Sequence, residues 1–436
     1  MEHGVSYSLL PTPWRSKEQG AGSKERVTPC SLLPTPYSLL AVVPCPCRCP
    51  SALRKGVVWL VAWLLAAAGC AAPTPSLPER ADPDQPTLKV AVLTPMTGEL
   101  ATFGEVVRNA AGLAFDDWNE RGGVHGWRLQ AVLEDTPCDA DKARQVAGRV
   151  IAGGVRFIVG GVCSEAAIPI ARLADDNGVL FIATHATHPL VTAGATGAVR
   201  RMAFRVAFAY PYQARAVARF LTESIKIRRV AVLSNPADPY VRSLAGEFGA
   251  AFTATGGEVV TVTYSSVGAD FGPLVAEAAR SGAPALYVPG GPEVANRVGS
   301  ALRTQKLDLI IIGSDLWTRR ELDLAALEGA YFVAHYSRGG TDPLALAWAD
   351  RYQSAFAVEP DTLAALGYDA VHVLATAIQE AGGVSPPDVA RALERMSYTG
   401  VSGRWRFDSL HNPLKEAVML QVKDGDVQWA GLASVR

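Results

Sequence analysis

"RFIVGGVCSEAAIPIARLADDNGVLFIATHATHP", residues 156–189, decides the fold. An apolar run closes on two glycines. Ser164 then opens a helix-like stretch that stops at Asn177 and Gly178, and "VLFIA" (179–183) is apolar again. Short apolar runs of this kind read as strands buried on both faces, and a helix between two of them makes a βαβ unit. Ligands of open α/β sheets bind beyond the C-terminal strand ends. Ser164 and "THATHP" stand at two such ends.

The same alternation extends in both directions. A first set of strands is expected at "KVAVL" (89–93), "LQAVLE" (129–134), 156–161, 179–183 and "AFRVAF" (203–208). Helical patterns lie between them, such as "DADKARQVAGRVIAGG" (139–154), stopped by glycines. A second set follows at "RRVAVLS" (228–234), "EVVTVTY" (258–264), "ALYVPG" (285–290), "LIIIGS" (309–314) and "YFVAHY" (331–336). Two successive βα arrays predict an α/β protein of two doubly wound, Rossmann-like lobes. A long helix is expected over 361–383 and a shorter one over 387–396. The last alternating runs flank Asp424-Gly425, a hairpin signal.

The N-terminal side speaks to compartment. "RKGVVWLVAWLLAAAGCAAP" (54–73) has a basic start, a short apolar middle and small residues before Cys70. Those are the parts of a secretory signal. "AAGC" resembles a bacterial lipobox, in which the Cys is lipidated and becomes the N-terminus; Cys70 is the expected anchor, a plain cleaved signal the alternative. Upstream lie two "SLLPTP" repeats and "CPCRCP" (45–50), a cluster that would suggest metal binding elsewhere. Here it precedes the signal, so residues 1–69 are read as a misassigned upstream segment plus signal peptide, with Leu53 an alternative start. Residues 70–86 read as a flexible Pro-rich linker.

Removing residues 1–69 from 436 leaves 367, with 34 Lys+Arg against 39 Asp+Glu. A net charge of −5 gives no electrostatic footprint for nucleic acid. Of the seven cysteines, only Cys138 and Cys163 remain beyond Cys70. Two cysteines in an exported chain most simply pair, and a disulfide is expected rather than a nucleophile.

Taken in order, "KVAVLTPMTGELATFGEVVRNAAGLAFDDWNERGGVHG" (89–126), the Cys138/Cys163 pair, "VGGVCSEAAIPIARLADDNGVLFIATHATHP" (159–189), "IIIGSD" (310–315) and "LGYDAVHVLATAIQEAGG" (366–383) resemble one family. It is the branched-chain amino acid (Leu/Ile/Val-type) substrate-binding protein of ABC transporters, with the type I periplasmic binding protein fold. The resemblance runs from about residue 87 to the end. It implies two ligand-binding lobes joined by a three-segment hinge, with crossings near 206–210, 333–337 and 404–408. Lobe one would comprise 87–207 and 337–405, lobe two 208–336 and 406–436.

The resemblance also implies a site. Ser164 would grip the ligand carboxylate with its hydroxyl and the N–H groups of the first helical turn, which suit an anion; the alternative is an ordinary N-cap. Ala186 and Thr187 would help hold carboxylate and ammonium. Asp315 would pair with the ammonium from the second lobe; the alternative is a solvated loop carboxylate or cap. Phe103, Tyr240 and Trp317 fall where the family places walls, or are packing residues. His185 and His188 form H-x-x-H, a weak metal signal with no further ligands nearby. His185 replaces a small family residue and would touch a polar group of the ligand or narrow the pocket. Pro292, in "VPGGPEVAN" (288–296), departs from the family's leucine binders, which have an aromatic there.

The expected function is an extracytoplasmic solute-binding component of an ABC importer. It would capture an amino acid or amino-acid-like molecule, branched-chain or hydrophobic, and present it to membrane permease subunits. No cofactor or metal is expected. The alternative is a sensor of the same fold for an amide or an aromatic or keto acid. An enzyme is not expected, because no G-x-x-x-x-G-K-[ST], H-E-x-x-H or G-x-S-x-G occurs.

Overall fold

The computed structural model describes residues 85–340 and 342–434. The signal segment, Cys70 and nearly all of the expected linker lie outside the described residues.

In chain order the first lobe opens with β1 (Thr87–Thr94), α1 (Ala101–Glu120), β2 (Arg128–Asp135), α2 (Ala140–Ala152), β3 (Phe157–Gly160), α3 (Ser164–Asp176), β4 (Leu180–Ala183) and β5 (Ala203–Arg205). The second continues with α4 (Tyr210–Arg219), β6 (Arg229–Ser234), α5 (Pro239–Ala254), β7 (Glu258–Thr263), α6 (Phe271–Arg280), β8 (Ala285–Val288), α7 (Pro292–Gln305), β9 (Ile310–Gly313) and β10 (Tyr331–Ala334). Three helices follow, α8 (Pro343–Phe356), α9 (Thr362–Ala381) and α10 (Pro386–Arg395). The chain closes with β11 (Ser397–Gly400), β12 (Gly403–Phe407), β13 (Pro413–Leu414), β14 (Ala417–Lys423) and β15 (Asp426–Ala433).

The first sheet runs β2-β1-β3-β4-β5 with all pairs parallel. The second runs β15-β14-β10-β9-β8-β6-β7; its five strands from β6 to β10 repeat the first sheet's order and are parallel. β14 and β15 add an antiparallel edge. In each lobe the chain reverses direction across the sheet beside its first strand, between β1 and β3 and between β6 and β8. That is the switch point where such sheets bind ligands.

The cores show where the chain changes lobes. Val206 and Ala207 pack in the first lobe's core, with α9 and α10, whereas Phe208 and Tyr210 pack in the second. Ala334 lies in the second lobe's core and Tyr336 in the first. The third crossing differs from the expected 404–408. Trp405 and Phe407 are buried in the first lobe's core, and β12 pairs with both β11 and β13. Ala417 and Met419 are the next residues in the second lobe's core. The crossing therefore falls after Leu414. An alternating run such as "RWRFD" marks a strand without saying which sheet it joins. The buried Asp369 carboxylate ties this corner down by accepting from Val401 N at 3.0 Å, Ser402 N at 2.9 Å and the Tyr398 hydroxyl at 3.0 Å.

Candidate functional site

The two glycines of "VGGVCS" are there for the turn from β3 into α3. Gly160 and Gly161 have φ of 140° and 71°. A Cβ on Gly160 would run into the Leu93 carbonyl of β1, and one on Gly161 would come within 2.9 Å of Ala167 Cβ. Only glycine lets the chain pass so close to its neighbour strand. The next residues, Cys163 and Ser164, are therefore delivered beside the end of β1.

Cys163 is the N-cap of α3 and is disulfide-bonded to Cys138, with Cα atoms 5.8 Å apart. Ser164 is thus the first helical residue rather than the cap. Its hydroxyl accepts from the His188 backbone N–H at 3.2 Å and lies beside the Tyr210 side chain. The loop after β4 is clasped onto the same corner. Ala186 N–H donates to Gly161 O at 3.2 Å, and Thr187 O accepts from Tyr210 N–H at 3.1 Å. Beneath it lies Arg205, 0% exposed. It donates to Ala186 O at 2.9 Å, Thr192 Oγ1 at 3.0 Å and Pro189 O at 3.4 Å. Burial draws its pKa down to about 9, with Asp408 opposing. The Ala186 carbonyl, expected at the ligand, thus already has a buried cationic partner.

The second lobe faces this corner with Asp315, just beyond β9. Tyr240, on the first turn of α5, donates from its hydroxyl to Asp315 Oδ1 at 2.6 Å. His335, just beyond β10, places Nε2 3.6 Å from Asp315 Oδ2. The Asp315 side chain is only 7% exposed. Burial raises its pKa, while Tyr240, Gln213 and His185 act to lower it. Tyr210 and Tyr240 meet edge to face with ring centroids 5.7 Å apart. A continuous path of side chains, Ser164–Tyr210–Tyr240–Asp315, therefore crosses the cleft.

His185 joins the cluster from the first lobe. Burial, then the neighbouring His335, draws its pKa down to about 3, with Asp315 opposing. Its two ring nitrogens have no hydrogen-bond partner in the protein. His188 points elsewhere: its Nδ1 accepts from Leu190 N–H at 3.1 Å, capping a short helical turn. The two histidines of H-x-x-H thus have separate tasks.

Ser164, Ala186, Thr187 and His185 gather on one side and Asp315 and Tyr240 on the other. Trp317 does not belong with them. It is 2% exposed, packs in the second lobe's core, and donates from Nε1 to Gly290 O at 2.9 Å. Gly313 leaves room for its ring, since a Cβ there would strike it. Phe103 is half-buried against the first lobe's core, on the opening turn of α1. The structure adds Tyr210, Gln213, Tyr287, His335 and Arg205, which sequence reasoning missed. Tyr210 and His335 follow directly on two of the hinge crossings, the one signal that could have found them.

What this arrangement can do is hold opposite charges apart. The first-lobe corner offers the N-terminus of α3, a positive dipole end suited to a carboxylate. The second offers a buried carboxylate suited to a cation. The Ser164 hydroxyl accepts from a backbone N–H that an anion site on this turn would share.

The chain is similar to known solute-binding proteins. The family described as "Periplasmic binding protein" matches residues 87–426. The chain is 30% identical over 329 residues to the leucine-, isoleucine-, valine-, threonine- and alanine-binding protein of Pseudomonas aeruginosa, covering 74% of this chain and 86% of that one. Among solved structures it is similar to the leucine-binding protein LivK of Thermotoga maritima, with TM-score 0.72 and 29% identity over 80% of this chain and 99% of that one. It is also similar to LivJ of Streptococcus pneumoniae, a branched-chain amino acid transporter substrate-binding protein solved with isoleucine, with TM-score 0.71 and 25% identity over 80% and 99% of the two chains.

Proposed function

The chain belongs to the periplasmic binding protein family, and on that premise we propose that it captures an amino acid between its lobes for an ABC permease. The ligand carboxylate sits at Ser164, Thr187 and the first turn of α3. Its ammonium pairs with Asp315, which Tyr240 orients. The amino acids named for the relatives, leucine, isoleucine, valine, threonine and alanine, are the first candidates. The supporting observation is the Ser164–Tyr210–Tyr240–Asp315 path, which sets an anion site and a carboxylate on facing lobes.

Membership of this family implies an extracytoplasmic location. Cys70 is read as the lipid attachment point that keeps the protein at the membrane surface. The lobes are assigned as 87–207 with 337–414, and 208–336 with the chain beyond 414. Each holds part of the ligand, so binding favours the closed arrangement. The role is that of a binder without a catalytic step.

A thermal-shift screen of the twenty amino acids, followed by calorimetry, tests the reading, because a ligand that binds only the native state raises apparent stability. Saturable stabilisation by at least one amino acid is expected. Stabilisation by none, with a response to aromatic or keto acids instead, would replace the zwitterion with a carboxylate-only ligand.

A further inference from the structure

Around Asp315 lies a set of polar groups that the amino-acid reading does not use. Gln213, on α4, is fully buried; its amide N–H side approaches Asp315, whose pKa it lowers, while its Oε1 has no hydrogen-bond partner in the protein. The same holds for both ring nitrogens of His185 and of His335, and for the Tyr287 hydroxyl. Buried polar groups are normally paired, and each one left unpaired costs free energy. These all neighbour one carboxylate: Gln213 reaches toward Asp315, His335 Nε2 is 3.6 Å from it, and His185 and Tyr287 feel its charge. A pocket for an aliphatic side chain has no use for them, since an alkyl group cannot pair with any.

Their chemistry limits what fits. Burial holds both imidazoles far below their usual pKa, so they are neutral, each with one donor and one acceptor. Gln213 likewise offers a donor and an acceptor. Asp315, the one carboxylate of the cluster, is taken by the ammonium. A cationic side chain would find no second carboxylate here, and Lys415, the cation whose charge reaches both imidazoles, already donates to Ser402 Oγ at 3.1 Å. A carboxamide, which also carries both a donor and an acceptor, matches an amide and a neutral imidazole.

Building on the amino-acid reading, we infer that the preferred ligand carries a neutral polar side chain of carboxamide type, received by Gln213 and His185. Asparagine and leucine have nearly the same shape and differ in this group, as do threonine and valine in a hydroxyl. Calorimetric titration of the mature protein with L-asparagine, L-leucine, L-threonine, L-valine and propionamide tests the inference, in the parent and in the Gln213→Leu and His185→Ala variants. Asparagine is expected to bind about tenfold or more tighter than leucine, the worth of one or two buried hydrogen bonds. Gln213→Leu should erase most of that ratio. Its melting temperature without ligand should change little, because the leucine removes a buried, unpartnered Oε1 along with the weak approach of the amide N–H to Asp315.

Leucine binding as tightly as asparagine, with the ratio unmoved in both variants, would overturn the inference and leave the amino-acid reading standing. If no amino acid binds but propionamide does, and Gln213→Leu abolishes it, the amide subsite stands and the amino-acid reading fails. Binding of none of the five probes overturns both.

Discussion

On the first-lobe side of the cleft, the groups that would meet the ligand, His185 apart, are already engaged: Ser164 with His188 N–H, Ala186 O with Arg205, Thr187 O with Tyr210. On the second-lobe side, Gln213, Tyr287 and His335 keep polar atoms without a protein partner around a buried carboxylate. The two sides use the same strand order, and loops after corresponding strands, β4 and β9, supply Thr187 and Asp315. The difference lies in what each side needs from the ligand. In the proposed reading the first is a cradle for the carboxylate that every amino acid shares, and the second receives the ammonium and the side chain.

Removing the second side's charge should have the largest effect. Asp315→Ala would strand a buried ammonium, which costs roughly 2–5 kcal/mol, or about 30-fold to several thousand-fold in affinity. Calorimetry with the ligand from the screen measures it. Burial disfavours the ionised Asp315 in the free protein, which offsets the loss of its Tyr240 hydrogen bond, so the melting temperature of Asp315→Ala without ligand should change little. A variant that melts much earlier would make Asp315 a structural residue and erase the contrast between the sides.

The first side is braced covalently. The Cys138–Cys163 disulfide closes a separation of 25 residues and holds the N-cap of α3. The Cys138→Ser, Cys163→Ser double variant is expected to lose about 3 kcal/mol of stability from loop-closure entropy. Denaturant unfolding measures the loss. Unchanged stability would mean that the hydrogen bonds of this corner suffice to hold it.

Ser164→Ala removes one donor among several, and 1–3 kcal/mol of binding is the rough scale for a hydrogen bond to a charge. By calorimetry this loss should be smaller than that of Asp315→Ala. A larger loss would reverse the ranking and make the cradle the dominant side.

The gentlest probe is pH. Burial raises the Asp315 pKa above 3.8 in the free protein, while His185 and His335 stay neutral at and above pH 6.5. The ammonium requires ionised Asp315, so affinity should weaken as pH falls through that raised value. Without ligand the sign reverses. A raised folded pKa contributes stability that is fully present below 3.8 and lost as pH rises through the raised value. Affinity flat down to pH 4 would contradict an ammonium held by Asp315.

The parts of this account visible in the sequence are those with local signatures. The strand–helix alternation located both sheets, and the glycine pair before Ser164 marked the turn that delivers it. Asp315 was legible as a carboxylate just past an apolar strand, and its proposed role came from the family resemblance. Trp317, two residues on, was not: whether an aromatic lines a cleft or fills a core depends on Gly313 and Phe332, which approach it only in the folded sheet. His335 and Gln213 were silent for a related reason. Their unpartnered atoms are a property of the packed hinge, and nothing in "AHY" or "YQA" records it. The third crossing was misplaced because a strand's pattern does not name its sheet.

The most direct test is a thermodynamic cycle of two proteins and two ligands. Parent and Asp315→Ala are each titrated with the amino acid found in the screen and with its deaminated carboxylic acid. The account expects the parent to prefer the amino acid by at least tenfold, and Asp315→Ala to lose that preference while still binding the acid through the first-lobe cradle. An undiminished preference in Asp315→Ala would contradict it, because the ammonium would then be recognised elsewhere and the two sides of the cleft would not divide the ligand between them.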